Sequence, residues 1–238
     1  MGRTPTPATI AGPPSLDDGL VHLTAPSCDQ PAAPRTTRAT GLHELVASVR
    51  EDRSAPVYWL DARNAASTYG LAAALGPHHL ESVQVARAFT AYQHYDLVRR
   101  VVRTVTEPGL IVAPNLAALY RDDDVPAGTA GPLFRTAVRV LHALGRSTAT
   151  PVVVTAAGDD QFTSALERAA VQTVTCERTR CGLRLSTASQ ETLVYRMPGW
   201  WQTTVPYWVD LAGAVTDDTP PSVPAHHQRP DPAMEVRG

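Results

Sequence analysis

Acidic side chains follow three of the apolar runs in the chain, and they are the first candidates for a chemical site. Asp61 ends one run, Asp122–Asp124 follow another, and Asp159 and Asp160 follow a third. Ligands of α/β proteins bind at the carboxyl ends of parallel strands, and carboxylate oxygens bind Mg²⁺ and Ca²⁺. An enzyme of unknown class that uses Asp61, Asp122 and Asp159 is therefore one interpretation. The spacing of the three consecutive acids matches no calcium-binding loop, and a solvated turn is the interpretation we prefer.

Two of the three cysteines, Cys176 and Cys181, are separated by four residues. They could form half of a zinc site or a cross-strand disulfide. A structural zinc ion needs four ligands in clustered pairs, and no second Cys or His pair lies in a partner position. An odd number of cysteines does not form a disulfide framework. We therefore predict two ordinary strand cysteines, with no metal and no cofactor.

Several familiar catalytic motifs are absent from the sequence. It contains no Gly-x-Ser-x-Gly elbow, no His-Glu-x-x-His motif and no Cys/His nucleophile pairing. Lysine is absent too, because all 21 basic residues are arginine. This excludes a lysine Schiff base, a lysine general base and the lysine of a phosphate-binding P-loop.

The elements that must position these residues alternate between short apolar runs and amphipathic stretches. From residue 171 the apolar period changes to two, which predicts an antiparallel meander. The pattern indicates an α/β fold: a mostly parallel sheet flanked by helices, with a C-terminal antiparallel strand extension. Strands are predicted at 19–25, 57–61, 83–89, 110–113, 151–155, 171–177, 182–187 and 191–197, and helices at 36–53, 65–75, 91–105, 131–144 and 160–170.

Length and composition predict one globular domain. The chain has 238 residues and is 43% hydrophobic, which suffices for one core. We assign that domain to residues 16–213, and the proline-rich, polar compositions of 1–15 and 214–238 predict disordered tails. No apolar run is long enough to cross a membrane and no secretory signal is recognised, so a cytoplasmic location is expected. The net charge of −2 gives no overall signature of nucleic-acid binding.

Three segments resemble the ATPase core of RecA/RadA-type recombinases. Val85–Val98 (VARAFTAYQHYDLV) is similar to the strand and helix that carry ARAF in that family. Leu110–Arg121 (LIVAPNLAALYR) resembles the Walker B strand and the LYR after it. Pro151–Ala157 (PVVVTAA) stands where a late strand of the family ends in Thr-Asn-Gln. The resemblance covers residues 16–213 and implies a RecA-like fold.

The resemblance also implies where the catalytic residues of that family should stand, and this chain lacks them. The Walker A loop corresponds to Ala25–Thr40 (APSCDQPAAPRTTRAT), which has neither the glycines nor the lysine that hold phosphates. The Walker B aspartate falls at Ala113 or Pro114. Arg63 stands in place of the glutamate that polarises water, and Ala156-Ala157 replace the Asn-Gln that senses nucleotide. We predict a pseudo-ATPase with no catalytic residues.

Two further sets of residues are candidates for binding. The aromatic segment Pro198–Trp208 could be a lid over the sheet, a partner interface or a stacking platform for single-stranded bases. The basic clusters could contact DNA, or could be a solvated helix face with internal ion pairs. The aromatic residues are Trp200, Trp201, Tyr207 and Trp208, and the candidate DNA contacts are Arg99, Arg100, Arg103, Arg135 and Arg139.

From the resemblance we expect a non-catalytic accessory protein or paralogue of a RadA-type recombinase in DNA recombination and repair. Its expected partners are a recombinase or paralogue and, second, single-stranded DNA, with no membrane. The alternative is an α/β protein- or small-molecule-binding module unrelated to DNA, because a fold does not by itself imply a function.

Overall fold

The computed structural model describes residues 8–9, 14–25, 33–52, 55–66, 68–75, 77–179, 182–197 and 200–203. Short 3-10 helices lie at Pro77–Ser82 and Ala118–Arg121. The helices are α1 Ala33–Asp52, α2 Thr68–Leu75, α3 Ala91–Thr104, α4 Ala127–Ser147 and α5 Gln161–Ala169. The strands are β1 Ala8–Thr9, β2 Gly19–Thr24, β3 Val57–Ala62, β4 Val83–Ala88, β5 Leu110–Ala113, β6 Pro151–Val154, β7 Gln172–Thr179, β8 Gly182–Ser186, β9 Gln190–Met197 and β10 Trp200–Thr203.

The strands form one sheet in the order β1-β9-β8-β7-β2-β6-β5-β3-β4, with β10 paired to β9. The six strands from β7 to β4 are all parallel. Strands β7, β8, β9 and β10 pair antiparallel in succession. The predicted α/β class, a mostly parallel sheet with flanking helices, is confirmed.

Helices cover both faces of the parallel strands. Because side chains alternate along a strand, neighbouring residues of β2 enter different cores. Leu20 packs in a core with Phe134 of α4 and Leu166 of α5, whereas Val21 packs in a core with Leu45 of α1. Strands β5 and β6 (LIVA and PVVV) are buried along their whole length, as continuous apolar runs in the centre of a parallel sheet should be.

The connections determine where a site can form. The chain leaves β3 through α2 on one face towards β4, and it leaves β5 through α4 on the other face towards β6. Because β3 and β5 are neighbouring strands, the loops that follow them diverge and leave a crevice at the carboxyl ends of the strands. Open α/β sheets bind their ligands in a crevice of this kind.

Helix α4 is longer than its predicted span of 131–144, and Gly145 explains part of the difference. A Cβ at Gly145 would lie 2.8 Å from the Gly19 Cα, the Thr150 carbonyl oxygen and the Val152 Cγ2 atom. This glycine is therefore a close-packing position inside the helix, where the sequence pattern indicated a helix end. Pro132 lies inside α4 as well, although prolines usually mark a helix boundary.

Some predictions concern residues that the structure does not describe. The predicted tail 214–238 lies wholly outside the described residues, and so does most of 1–15. Within the described ranges, no helix combines the length and apolar character needed to cross a membrane.

Candidate functional site

A cavity of about 170 Å³ lies at the carboxyl ends of β3, β5 and β6, beside α1. We call it the strand-end cavity. It adjoins the crevice where the loops of β3 and β5 diverge. Its walls are Trp59 and Ala65 from β3 and its loop, Pro114 and Asn115 after β5, Thr155 after β6, and Arg38, Ala39, Leu42 and His43 from α1.

The loops around the cavity turn sharply at the strand ends. Arg63, Asn64 and Asn115 have φ angles of 60°, 57° and 52°, in the left-handed region that few residues other than glycine adopt. Thr155 holds the loop after β5, since the Asn115 backbone N–H donates to its hydroxyl over 2.9 Å. The Leu116 N–H donates to the carbonyl oxygen of Thr155, also over 2.9 Å. The rim of the cavity is thus fixed by hydrogen bonds.

Asp61 has a fully buried carboxylate with internal partners. Its Oδ1 atom accepts the backbone N–H groups of Ala65 and Ala66 over 2.5 and 3.2 Å. Its Oδ2 atom accepts the Arg87 Nε–H over 3.0 Å, because the register of β3 and β4 places Arg87 directly opposite Asp61. A buried charge needs such pairing. Asp61 therefore orders the loop after β3.

Each of the other acidic candidates either forms an ion pair or is exposed to solvent. Asp122 pairs with Arg63, while Asp123, Asp124 and Asp159 are exposed. The structure does not bring the acids of the three strand ends into one cluster. In the described ranges, no three Cys, His, Asp or Glu side chains are grouped so that they could hold a metal ion.

Asp160 joins two elements near the same edge of the sheet. Arg121 donates to it twice, over 2.7 Å from Nε and 3.0 Å from a terminal nitrogen. Asp160 also accepts the Phe162 and Thr163 N–H groups at the start of α5, each over 3.0 Å. The Arg121 hydrogen bond, assisted by these backbone N–H groups, lowers the pKa of Asp160 to about 2. The aspartate is the N-cap of a helix, a structural role.

Some of the positions that the resemblance assigns to ATP chemistry line this cavity, and the others lie in the loops and strands next to it in sequence. Ala113 is fully buried in β5, Pro114 lines the cavity, and the Arg63 guanidinium is engaged by Asp122. Ala156 is buried after β6, and Ala157 is exposed. Of the stretch 25–40 that corresponds to Walker A, residues 26–32 lie outside the described part. The described walls contain no carboxylate.

Trp59 and His43 are site residues that the sequence reasoning missed. Trp59 lies in an apolar strand run, so its pattern indicated core. Its ring centroid is 6.0 Å from that of His43, and its buried indole Nε1–H has no hydrogen-bond partner among the described residues. The sequence feature that could have indicated the cavity is Thr155, a residue with a hydroxyl group at the end of a predicted strand and next to a predicted loop.

The aromatic segment is described in part. Trp200 and Trp201 begin β10, and their backbones pair with Met197 and Arg196 of β9. Tyr207 and Trp208 lie outside the described residues. The alternatives of lid, partner surface and base-stacking platform stay predictions.

The five arginines predicted as DNA contacts lie on two helices that pack against each other, α3 and α4. All five side chains are exposed. The Arg99 guanidinium stacks 5.8 Å above the Tyr95 ring, and Arg139 donates to the Thr136 hydroxyl over 3.2 Å. Within the described ranges none of the five forms an ion pair. DNA contact and a solvated helix face both stay predictions.

Cys176 is a fully buried cysteine in β7. Burial raises the pKa of its thiol to about 12, and a Cβ at Gly41 of α1 would collide with its sulfur. The predicted role of an ordinary strand residue fits this packing. Cys181 lies outside the described residues.

No family model matches the chain, and no curated protein matches its sequence. A function can therefore be inferred only from the residues and their arrangement.

Proposed function

We propose that this chain is a degenerate RecA-type core, a pseudo-ATPase that serves as an accessory protein or paralogue of a RadA-type recombinase in DNA recombination and repair. The observation that carries the proposal is the strand-end cavity. It adjoins the positions that the resemblance assigns to ATP chemistry, and its described walls offer neither a carboxylate nor a lysine.

The order of the strands supports a RecA-like scaffold. Strand β2, which would precede the Walker A loop, lies next to β6, and β6 lies next to β5. The strands that would carry the Walker A loop, the nucleotide sensor and the Walker B aspartate are thus consecutive neighbours. One nucleotide site needs this arrangement, because all three loops must reach the same phosphates. The antiparallel strands after β7 fit the predicted C-terminal extension.

The side chains at these positions support the loss of catalysis. Phosphoryl transfer depends on positioned Mg²⁺, cationic groups and a residue that orients the attacking nucleophile. Ala113 and Pro114 have no side-chain oxygen for Mg²⁺. Arg63 places a positively charged guanidinium where the family has the carboxylate that polarises water. That guanidinium forms an ion pair with Asp122. In this proposal the chain keeps the RecA-like scaffold and lacks the side chains that ATP hydrolysis needs.

Thermal unfolding with and without Mg–ATP tests the pseudo-ATPase proposal. We expect the melting temperature to change by less than about 1 °C at about 1 mM Mg–ATP, relative to Mg–citrate at equal ionic strength. A site with a Kd of about 10 µM would add about 2.7 kcal/mol under these conditions, a shift of several degrees. A shift of that size, or phosphate release proportional to the protein added, would contradict the proposal.

Affinity purification of the tagged chain from its own source cells tests the accessory role. We expect a RadA-type recombinase or a paralogue among the proteins retained, identified by mass spectrometry. A stable complex that contains no recombinase-related protein would contradict the accessory role and would favour a protein-binding module unrelated to DNA.

The second candidate function is a small-molecule-binding module unrelated to DNA. It is favoured by the lining of the strand-end cavity, which places Arg38, His43 and the Thr155 hydroxyl around about 170 Å³. Ligand pockets commonly have volumes of about 300–1,000 Å³, so only a small anion would fit. A thermal shift with acetate or inorganic phosphate that is lost in Arg38→Gln would support this candidate.

A further inference from the structure

A groove of about 340 Å³ lies between α4 and α5, on the face of the sheet opposite α1 and α2. Three arginines line it: Arg135 and Arg139 from α4 and Arg168 from α5. All three side chains are exposed. We call this feature the arginine groove.

The three arginines are without carboxylate partners in the described part of the chain. Elsewhere Arg63, Arg87, Arg121 and Arg184 all form ion pairs. Two of the groove arginines are four residues apart on one helix, a spacing at which like charges destabilise the helix. In a chain of net charge −2, the groove is therefore a local excess of positive charge that an acidic ligand would neutralise.

The floor of the groove is apolar. It includes Val138 of α4, which is buried, and the half-buried Ala165 and Ala169 of α5. No aromatic ring is among its described lining residues, so these residues offer bases nothing to stack on. A phosphate backbone would satisfy the arginines but leave the apolar floor uncovered. A ligand that is apolar in the middle and acidic at its edges matches both features.

The walls of the groove are two helices, whose backbone groups are hydrogen-bonded within each helix. A helical ligand satisfies its own N–H and C=O groups, whereas an extended strand would find no backbone partners on the side that faces these helices. We propose that the arginine groove binds an acidic amphipathic helix of a protein partner. Apolar side chains of that helix cover Val138, Ala165 and Ala169, and its carboxylates pair with the three arginines. This inference does not depend on the proposed function.

Peptide binding to the full chain tests the proposal. The probe is a fluorescein-labelled peptide of about 18 residues, long enough to form a helix, with leucines on one helical face and glutamates beside them. We expect saturable binding by fluorescence anisotropy at about 50 mM salt, weakening as salt rises. A peptide with glutamine for every glutamate should bind about tenfold more weakly. A scrambled peptide of the same composition should not bind.

Substitutions locate the binding site. The combined variant Arg135→Gln, Arg139→Gln, Arg168→Gln should bind the acidic peptide about tenfold more weakly. The matched control Arg99→Gln, Arg100→Gln, Arg103→Gln removes the same charge from exposed positions on α3 and should bind like the wild type. Ala165→Asp, which places a carboxylate on the floor, should also weaken binding. Melting temperatures check that each variant is folded.

Three results would overturn the proposal. The first is the absence of saturable binding of the acidic peptide. The second is an equal loss of binding in the two triple variants, which would indicate attraction by overall charge. The third is binding of an oligothymidylate that the groove substitutions weaken while peptide binding is unchanged, which would make the groove a nucleic-acid surface.

Discussion

His94 and Tyr120 form a buried polar pair between α3 and the 3-10 helix at Ala118–Arg121. The His94 Nδ1 atom lies 2.9 Å from the Tyr120 hydroxyl, and the rings meet edge to face. The other ring nitrogen, Nε2, is buried and has no hydrogen-bond partner in the part of the chain that the structure describes. Burial lowers the pKa of His94 to about 4 and raises that of Tyr120. Both side chains are therefore held in their neutral forms.

This pair predicts a loss of stability in mild acid. The unfolded chain protonates His94 near pH 6.5, whereas the folded chain does so near pH 4. Between these values the unfolded state binds more protons, so the free energy of unfolding falls as pH decreases. We expect His94 to contribute a fall of up to about 3 kcal/mol across this range.

Urea denaturation at a series of pH values measures this effect. His94→Gln keeps a hydrogen-bonding group for Tyr120 and should flatten the curve between pH 6.5 and 4. The remaining slope should include His22, whose pKa burial also lowers. Superimposable pH profiles for the wild type and the variant would show that His94 is not the group responsible.

Among the elements, α5 depends on the cap that Asp160 provides. Asp160→Ala removes both the N-cap and the Arg121 ion pair, and should lower the free energy of unfolding by about 1–2 kcal/mol. Asp160→Asn keeps a capping oxygen and should cost about 0.5 kcal/mol, because the half-exposed ion pair contributes little. Asp159→Ala, next to it and exposed, is the matched control and should change stability by less than about 0.5 kcal/mol.

The acid dependence of the cap follows from its pKa. Because Arg121 and the helix N–H groups lower the pKa of Asp160 to about 2, its stabilisation is present above pH 4 and is lost as pH falls towards 2. Denaturation curves for the wild type and Asp160→Asn should therefore converge below pH 3. A constant difference between them down to pH 2 would contradict the assigned ion pair.

Helix α4 offers a second comparison within one element. Gly145→Ala places a methyl group 2.8 Å from three atoms of the β2 and β6 region, and this overpacking should cost about 1–3 kcal/mol. Gly128→Ala is the matched control, since a Cβ there meets no described atom within 4 Å. It should leave stability unchanged or raise it by up to about 1 kcal/mol. Equal effects of the two substitutions in urea denaturation would refute the close-packing role of Gly145.

At the scale of the whole molecule, the charge distribution governs any binding to single-stranded DNA. The net charge is −2, so attraction would depend on local arginines of α3 and α4. If all five candidate arginines neutralise phosphates, the logarithm of the binding constant should fall with the logarithm of salt concentration with a slope of about −3.5. Anisotropy of a labelled oligothymidylate between about 50 and 200 mM salt measures this slope.

Substitutions in α3 make the DNA prediction specific. The variant Arg99→Gln, Arg100→Gln, Arg103→Gln should reduce the slope by about 2, because three phosphate contacts are removed. Absence of binding at the lowest salt concentration would discard single-stranded DNA as a partner while leaving a recombinase partner open.

The elements were largely predictable because their signals are local. Continuous β-branched residues in PVVV indicated a strand buried on both faces, and β6 has that burial. The apolar spacing of Leu42, Leu45 and Val46 indicated α1, and these residues lie in its core face. The site was less predictable. Nothing near Asp61 and Asp122 in sequence marks their arginine partners, so the sequence allows both to be candidate carboxylates of a site.

The sequence by itself determined the α/β class, the alternation of strands and helices, and the absence of lysine and therefore of a P-loop motif. Each of these is a property of composition or of residues within one turn or one strand. Only the tertiary structure decided that Arg87 neutralises Asp61 and that Gly145 packs against Gly19. It alone brought α4 and α5 together to form the arginine groove. These contacts join residues 26 or more positions apart, and the sheet order that joins them depends on packing across the whole core.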